Sequence, residues 1–268
     1  MLGISMQIAL LLAACMGAAN AARGAMELDL IFPRNETYAP TEIFPVIIAI
    51  QNTELAPFLN PQMTIEFLDL DSQVHSYPTF YDLRWANYSS SDPYRELKVF
   101  TSFNKEGRWR IAWQVRWNTC TEDSLAFLGD GITGNGTSRI TMFTINNSGK
   151  VVDPVPATTN QNCTNSEAIV INVDDTLAVP DFITWEDYDG KTCASMASTT
   201  PAPTPCQVKF DSAAAADIFS SMTSLHCKQT REPGSSCPTD DKSAAEQLVG
   251  VGLVGLAATF GALGYLIV

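Results

Sequence analysis

The chain has 268 residues, 46% of them hydrophobic and 17% charged, a balance that fits one large or two modest folded domains and excludes a disordered chain. Its formal net charge of −13 argues against nucleic acid as a partner, because neutralising phosphates takes clustered Lys and Arg. Of the seven cysteines, Cys15 sits in the N-terminal apolar run; Cys120, Cys163, Cys193, Cys206, Cys227 and Cys237 include no Cys-x-x-Cys pair, so disulfides in an oxidising compartment are expected rather than a zinc or thiol-redox centre.

Residues 1–22 read as a signal peptide. A short apolar core is followed by Ala19-Asn20-Ala21, the small-x-small pattern of a cleavage site, and the core is too short for a membrane span. No Lys or Arg precedes it.

Mature residues 23–190 have the pattern of an all-β, antiparallel two-layer sandwich of immunoglobulin-like size. A first strand over 27–32 alternates Leu28, Leu30 and Phe32 with Glu27, Asp29 and Ile31, and Pro33-Arg34-Asn35 ends it. Residues 43–52 are apolar on both faces, with Pro45 confining the start to an edge or bulge. Strands follow over 63–70 and 96–103, and residues 104–107 read as a four-residue hairpin connection into 108–120.

That last stretch is the strongest signal in the chain. Trp109, Ile111, Trp113, Val115 and Trp117 alternate with Arg108, Arg110, Ala112, Gln114, Arg116 and Asn118, the period of a strand with one buried face. The tryptophan spacing also fits a helical stripe, but β-branched and aromatic residues dominate and no helix cap precedes the run. Beyond it, 124–128 is a doubtful strand, 129–138 a Gly-rich loop, and 139–145 and 167–173 are strands. Cys120 with Cys163 is the favoured disulfide within the sandwich, although spacing alone selects no pairing.

Residues 191–242 differ. A Ser/Thr/Pro-rich segment, extended and suited to O-glycosylation, leads to a helix over 211–225 capped by Asp211, with Ile218, Phe219, Met222 and Leu225 as its apolar stripe. So few apolar residues make a poor core; a small disulfide-stapled appendage docked on the sandwich is expected. Residues 243–268 read as a glycosylphosphatidylinositol (GPI) attachment signal, with Ser243 as the lipid-bearing residue and an apolar tail that carries no basic flank. A single-pass C-terminal anchor is the alternative. Five Asn-x-Ser/Thr sequons, at Asn35, Asn87, Asn135, Asn146 and Asn162, lie in expected loops.

Chemistry has few places to reside. There are two histidines, His75 and His226, and no Gly-x-Ser-x-Gly elbow. A copper brace would need an N-terminal histidine, whereas leader cleavage exposes Ala22 or Arg23. Glu66, Asp69 and Asp71 form one acidic group, and Glu186, Asp187 and Asp189 a second; a glycosidase needs two such carboxylates across a sugar. Asp174-Asp175 and the Asp187–Asp189 group lack full calcium-loop spacing, and no cofactor or metal is expected. Aromatic residues 77–94 offer a sugar-stacking platform built from Tyr77, Tyr81, Trp85 and Tyr88, or a crossover packed over an open sheet edge.

The Phe44-Pro-Val-Ile-Ile-Ala-Ile-Gln-Asn52 strand, the tryptophan strand, Pro205-Cys-Gln-Val-Lys and Asp211-Ser-Ala-Ala-Ala resemble an uncharacterised family of fungal secreted, often GPI-anchored proteins, domain of unknown function 7136. The resemblance covers nearly the whole mature chain. It implies a fungal source and an exported, surface-bound location, and assigns no catalytic or binding residue. The expectation is a non-enzymatic cell-surface or cell-wall glycoprotein whose partners are the membrane, through the lipid, and a wall glycan. A carbohydrate-binding module and a glycan-active hydrolase are the alternatives.

Overall fold

The computed structural model describes residues 23–84, 94–127, 129–158, 167–184, 190–229 and 237. Two five-stranded sheets face each other. Sheet A runs β10 (Thr192–Met196), β9 (Glu167–Ala178), β1 (Gly24–Phe32), β3 (Thr41–Gln51), β6 (Tyr94–Phe103). Sheet B runs β2 (Thr37–Tyr38), β8 (Thr133–Ile145), β7 (Gly107–Thr119), β4 (Gln62–Asp69), β5 (Thr79–Asp82). Pairing is antiparallel except for the two-residue β2 beside β8. The sandwich is the one the alternation predicts.

Its interior is aromatic. Trp113, Ile111 and Val115 of β7 are fully buried, and Trp109 and Trp117 pack half-buried at either end of the same face. Phe44 of β3 stacks on Phe143 of β8 at 5.0 Å and meets Phe103 edge-on at 4.9 Å. Phe103 in turn lies 4.5 Å from Trp109. Ring pairs that bridge the layers add to the area term, roughly 0.5–1.5 kcal/mol each. Tyr38 closes the cluster, its hydroxyl accepting from the Arg34 N–H at 3.0 Å and donating to Glu36 at 2.9 Å. Pro45 sits beside a register shift in the β3–β6 ladder, beyond the last β1 pairing of β3 at Ile47. Its missing N–H therefore interrupts no bond to β1.

Several expectations need correction. Residues 104–107 do not close a hairpin: β6 belongs to sheet A and β7 to sheet B, so the chain crosses between layers there. An apolar face on each of two neighbouring strands suits either connection. Here Asp71 accepts from the backbone and guanidinium N–H groups of Arg108 at 2.8 Å and seats β7 beside β4. Residues 124–127 are a turn, and the Gly-rich 133–138 stretch is the first half of β8. Strands β2, β5 and β10 were not foreseen; two residues in the first, four in the second and mostly small residues in the third leave little periodicity to read. Cys120 pairs with Cys193, not Cys163, which lies outside the described residues. The reason is β10: Cys120 N–H donates to Ala194 O at 2.9 Å, so the end of β7 lies against this edge strand.

The appendage covers the outer face of sheet A. Short helix α1 (Ala56–Leu59) packs under the sandwich rim, and α2 (Ser212–Gln229) lies over β3 and β6. Asp211 caps α2 through the Ala214 N–H at 2.8 Å. Ile218 and Met222 are buried with Val208 and Phe210, Phe219 is half-buried, and Leu225 faces solvent at 49% exposure, outside the stripe. Cys227, in the last turn of the helix, is bonded to Cys237 beyond it.

Trp113→Ala should cost about 3–5 kcal/mol in denaturant unfolding, the range for deleting a buried large aromatic, and Trp117→Ala clearly less because that ring is half-buried. Equal losses at the two sites would show that the core is not centred on Trp113.

Candidate functional site

Among the described residues, no docked element seals the outer face of sheet B. Alternation fixes what it shows. Where Met63, Ile65, Ile111, Trp113, Phe143 and Ile145 point inward, their neighbours point out. Cross-strand rows place Met142 beside Arg110 and Leu68, Ile140 beside Ala112 and Glu66, and Ser138 beside Gln114, Thr64 and Phe80. Leu68 is buried in this set, the others being half-exposed or exposed. Phe80 stands 77% exposed and Tyr77, just before β5, 95% exposed.

The four predicted aromatic residues separate. Tyr77 is in solvent, whereas Tyr81, opposite Met63, turns inward and packs against the core; burial pushes its phenol above the ordinary value. Trp85 and Tyr88 lie outside the described residues. Phe80, one residue before Tyr81 on β5, takes the exposed position.

The predicted acids serve local structure. Asp69 accepts from Ser72 Oγ at 2.7 Å and from the Asp71 and Ser72 N–H groups, which hold its carboxyl below the usual range. Asp71 is held low by the Arg108 backbone and side-chain donors. Glu66 contacts His75 Nδ1 on the exposed face. Asp174 is exposed, and Asp175 takes the Thr176 N–H. Glu186, Asp187 and Asp189 fall outside the described residues. Among the described residues no group of three His, Cys, Asp or Glu side chains converges on a common point. Of the sequons, Asn35 is exposed in the turn after β1 and Asn146 is half-buried in the turn after β8. Asn135 lies inside β8, not in a loop, and its amide donates to Thr119 Oγ1 at 2.7 Å. Asn87 and Asn162 are outside the described residues.

A second acidic pair was missed. Glu27 and Asp29 alternate outward on β1, yet are 4% and 0% exposed because the segment before α2 crosses them. Glu27 accepts the Thr204 N–H at 2.6 Å and the Thr204 hydroxyl at 3.1 Å. Gln51 Nε2 donates to Asp29 at 2.9 Å and, longer, to Thr204 O at 3.4 Å. Burial, then the neighbouring Glu27 charge, pushes Asp29 up to about 8. A catalytic dyad needs a substrate-sized opening, and Thr204 closes this one. The arrangement is a latch that fixes the strap and helix to sheet A. The signal was present in the sequence: two acids and a glutamine on the outward positions of strands that are otherwise apolar.

The latch makes stability pH-dependent. Asp29 keeps its proton in the fold up to about 8 but loses it near 3.8 when unfolded. Its contribution is therefore full below 3.8 and fades as pH rises through about 8. Asp29→Asn copies the protonated carboxyl. Thermal melts from pH 4 to 9 should show a wild-type Tm that falls across this window by several degrees more than the variant's. Parallel pH profiles would show that Asp29 is not the titrating group.

No curated protein and no solved structure matches this chain. A family model described as a domain of unknown function, DUF7136, matches residues 21–237, a span that takes in every strand and helix named above and the Cys120–Cys193 and Cys227–Cys237 bonds. The chain belongs to the DUF7136 family.

Proposed function

We propose that the chain is a non-enzymatic surface glycoprotein of a fungus. It is exported by its leader, held through a GPI lipid at Ser243 on the plasma membrane or in the wall, and meets wall polysaccharide with the outer face of sheet B. The observation that supports this reading is the unequal cover of the sandwich. Helix α2 and the strap occupy the outer face of sheet A, while the outer face of sheet B carries exposed Phe80 and Tyr77 near Gln114, Thr64 and Glu66. Aromatic rings among amide, hydroxyl and carboxylate groups suit a sugar, which offers apolar C–H faces and many hydroxyls. The face is an open sheet surface, as binding along a polymer requires, and the acid pair Glu27 and Asp29 lies sealed on the other sheet.

Sedimentation with insoluble β-glucan and with chitin tests this. The double variant Tyr77→Ala/Phe80→Ala should lose about ten-fold in affinity, the equivalent of roughly 1.4 kcal/mol. Retention equal to wild type on whichever polymer binds would remove this face from the reading.

A further inference from the structure

Among the described residues, strand β8 has an open side. Along its length it pairs with β7, but on the other side β2 reaches only Thr144 and Ile145. An edge left with free N–H and C=O groups and apolar neighbours invites pairing with another chain. Beside this edge lies a groove of about 260 Å3, walled by Leu30, Pro33, Ile140 and Met142 with Arg34 and Glu167 as its charged groups. Ile140 and Met142 are 49% and 51% exposed. Asn35 lines the same groove, and Asn35-Glu36-Thr37 is a sequon.

We propose that the N-glycan of Asn35 folds back into this groove, its first two N-acetylglucosamine residues covering Ile140, Met142 and the open edge of β8. This rests on the reading of the chain as an exported glycoprotein. The chemistry of the two surfaces corresponds. The sugar's apolar ring face and acetyl methyl meet exposed Ile140 and Met142, and its hydroxyls are donors for Glu167. Attachment in the groove wall supplies the high local concentration that a free sugar lacks. The glycan takes the β8 half of the outer face and leaves the half that carries Tyr77 and Phe80 open.

Met142 reports on the cover, because thioether oxidation follows exposure. The mature chain would be made in a glycosylating host and compared with Asn35→Gln, and with wild type deglycosylated after folding. Each would be treated with hydrogen peroxide, then stripped of glycans and digested for mass spectrometry. Met142 should oxidise roughly three-fold or more slowly in the glycosylated protein than in either control, with Met196, 37% exposed elsewhere on the surface, unchanged. Full occupancy of Asn35 with equal Met142 rates overturns the groove while sparing the glycoprotein reading. An unmodified Asn35 overturns the proposal at that site by itself. Parallel changes at Met142 and Met196 would mark general loosening and also overturn it.

Discussion

Sheet A is buried on both faces along β1 and β3, and the architecture follows from that constraint. Nine successive residues of β3 are buried, as are the last seven of β1. An isolated two-layer sandwich can cover one side of such a sheet. The other side needs a further layer, and burial at roughly 25 cal/mol per Å2 of apolar surface is what keeps that layer in place. Residues after β10 supply it: Val208 and Phe210, then Ile218 and Met222 from α2. The appendage is too poor in apolar residues to fold alone, and sheet A is too rich in them to remain bare. Each makes up for the deficiency of the other.

Sheet B has the opposite character, with one apolar face and one mixed face. Its central strands β4 and β7 read cleanly from sequence because alternation survives wherever one side meets water, as the Trp109–Trp113–Trp117 series illustrates. Four strands of sheet A, β1, β3, β6 and β9, were also legible as strands, but the outward Ile47 and Ala49 of β3 gave no hint of what would cover them. Connectivity was the weakest point. The step from Phe103 to Trp109 looks the same whether the chain turns back in one sheet or crosses to the other, and only the distant Asp71 decides it. The disulfide followed from the same gap. Without β10, Cys193 had no place in the sandwich, so its bond to Cys120 was out of reach.

The candidate face was half visible for a related reason. A cluster of aromatic residues after β4 marks a region without saying which rings point outward. That depends on β5, a four-residue strand whose parity sends Phe80 to solvent and Tyr81 to the core. The buried acids show the converse. Glu27 and Asp29 were in view as outward residues of a first strand, but solvent was the natural assumption for their surroundings. Thr204, more than 170 positions away, supplies the hydrogen bonds that make the burial of Glu27 tolerable, and Gln51 supplies the one to Asp29.

The bond between Cys120 and Cys193 also determines how the molecule would carry tension. It joins the end of β7 to β10, shortly before the chain leaves the sandwich for the strap, α2 and the C-terminal end. Pulling on that end can strip away the helix and unthread the strap, but at Cys193 the strain passes through sulfur into the central strand of sheet B. Strands β8 and β9, which lie between the two cysteines in the chain, are bypassed. A polymer gripped by the outer face of that sheet and a tether at the C-terminus would then be connected by one covalent route, with the peelable segment acting as an extensible leash in series.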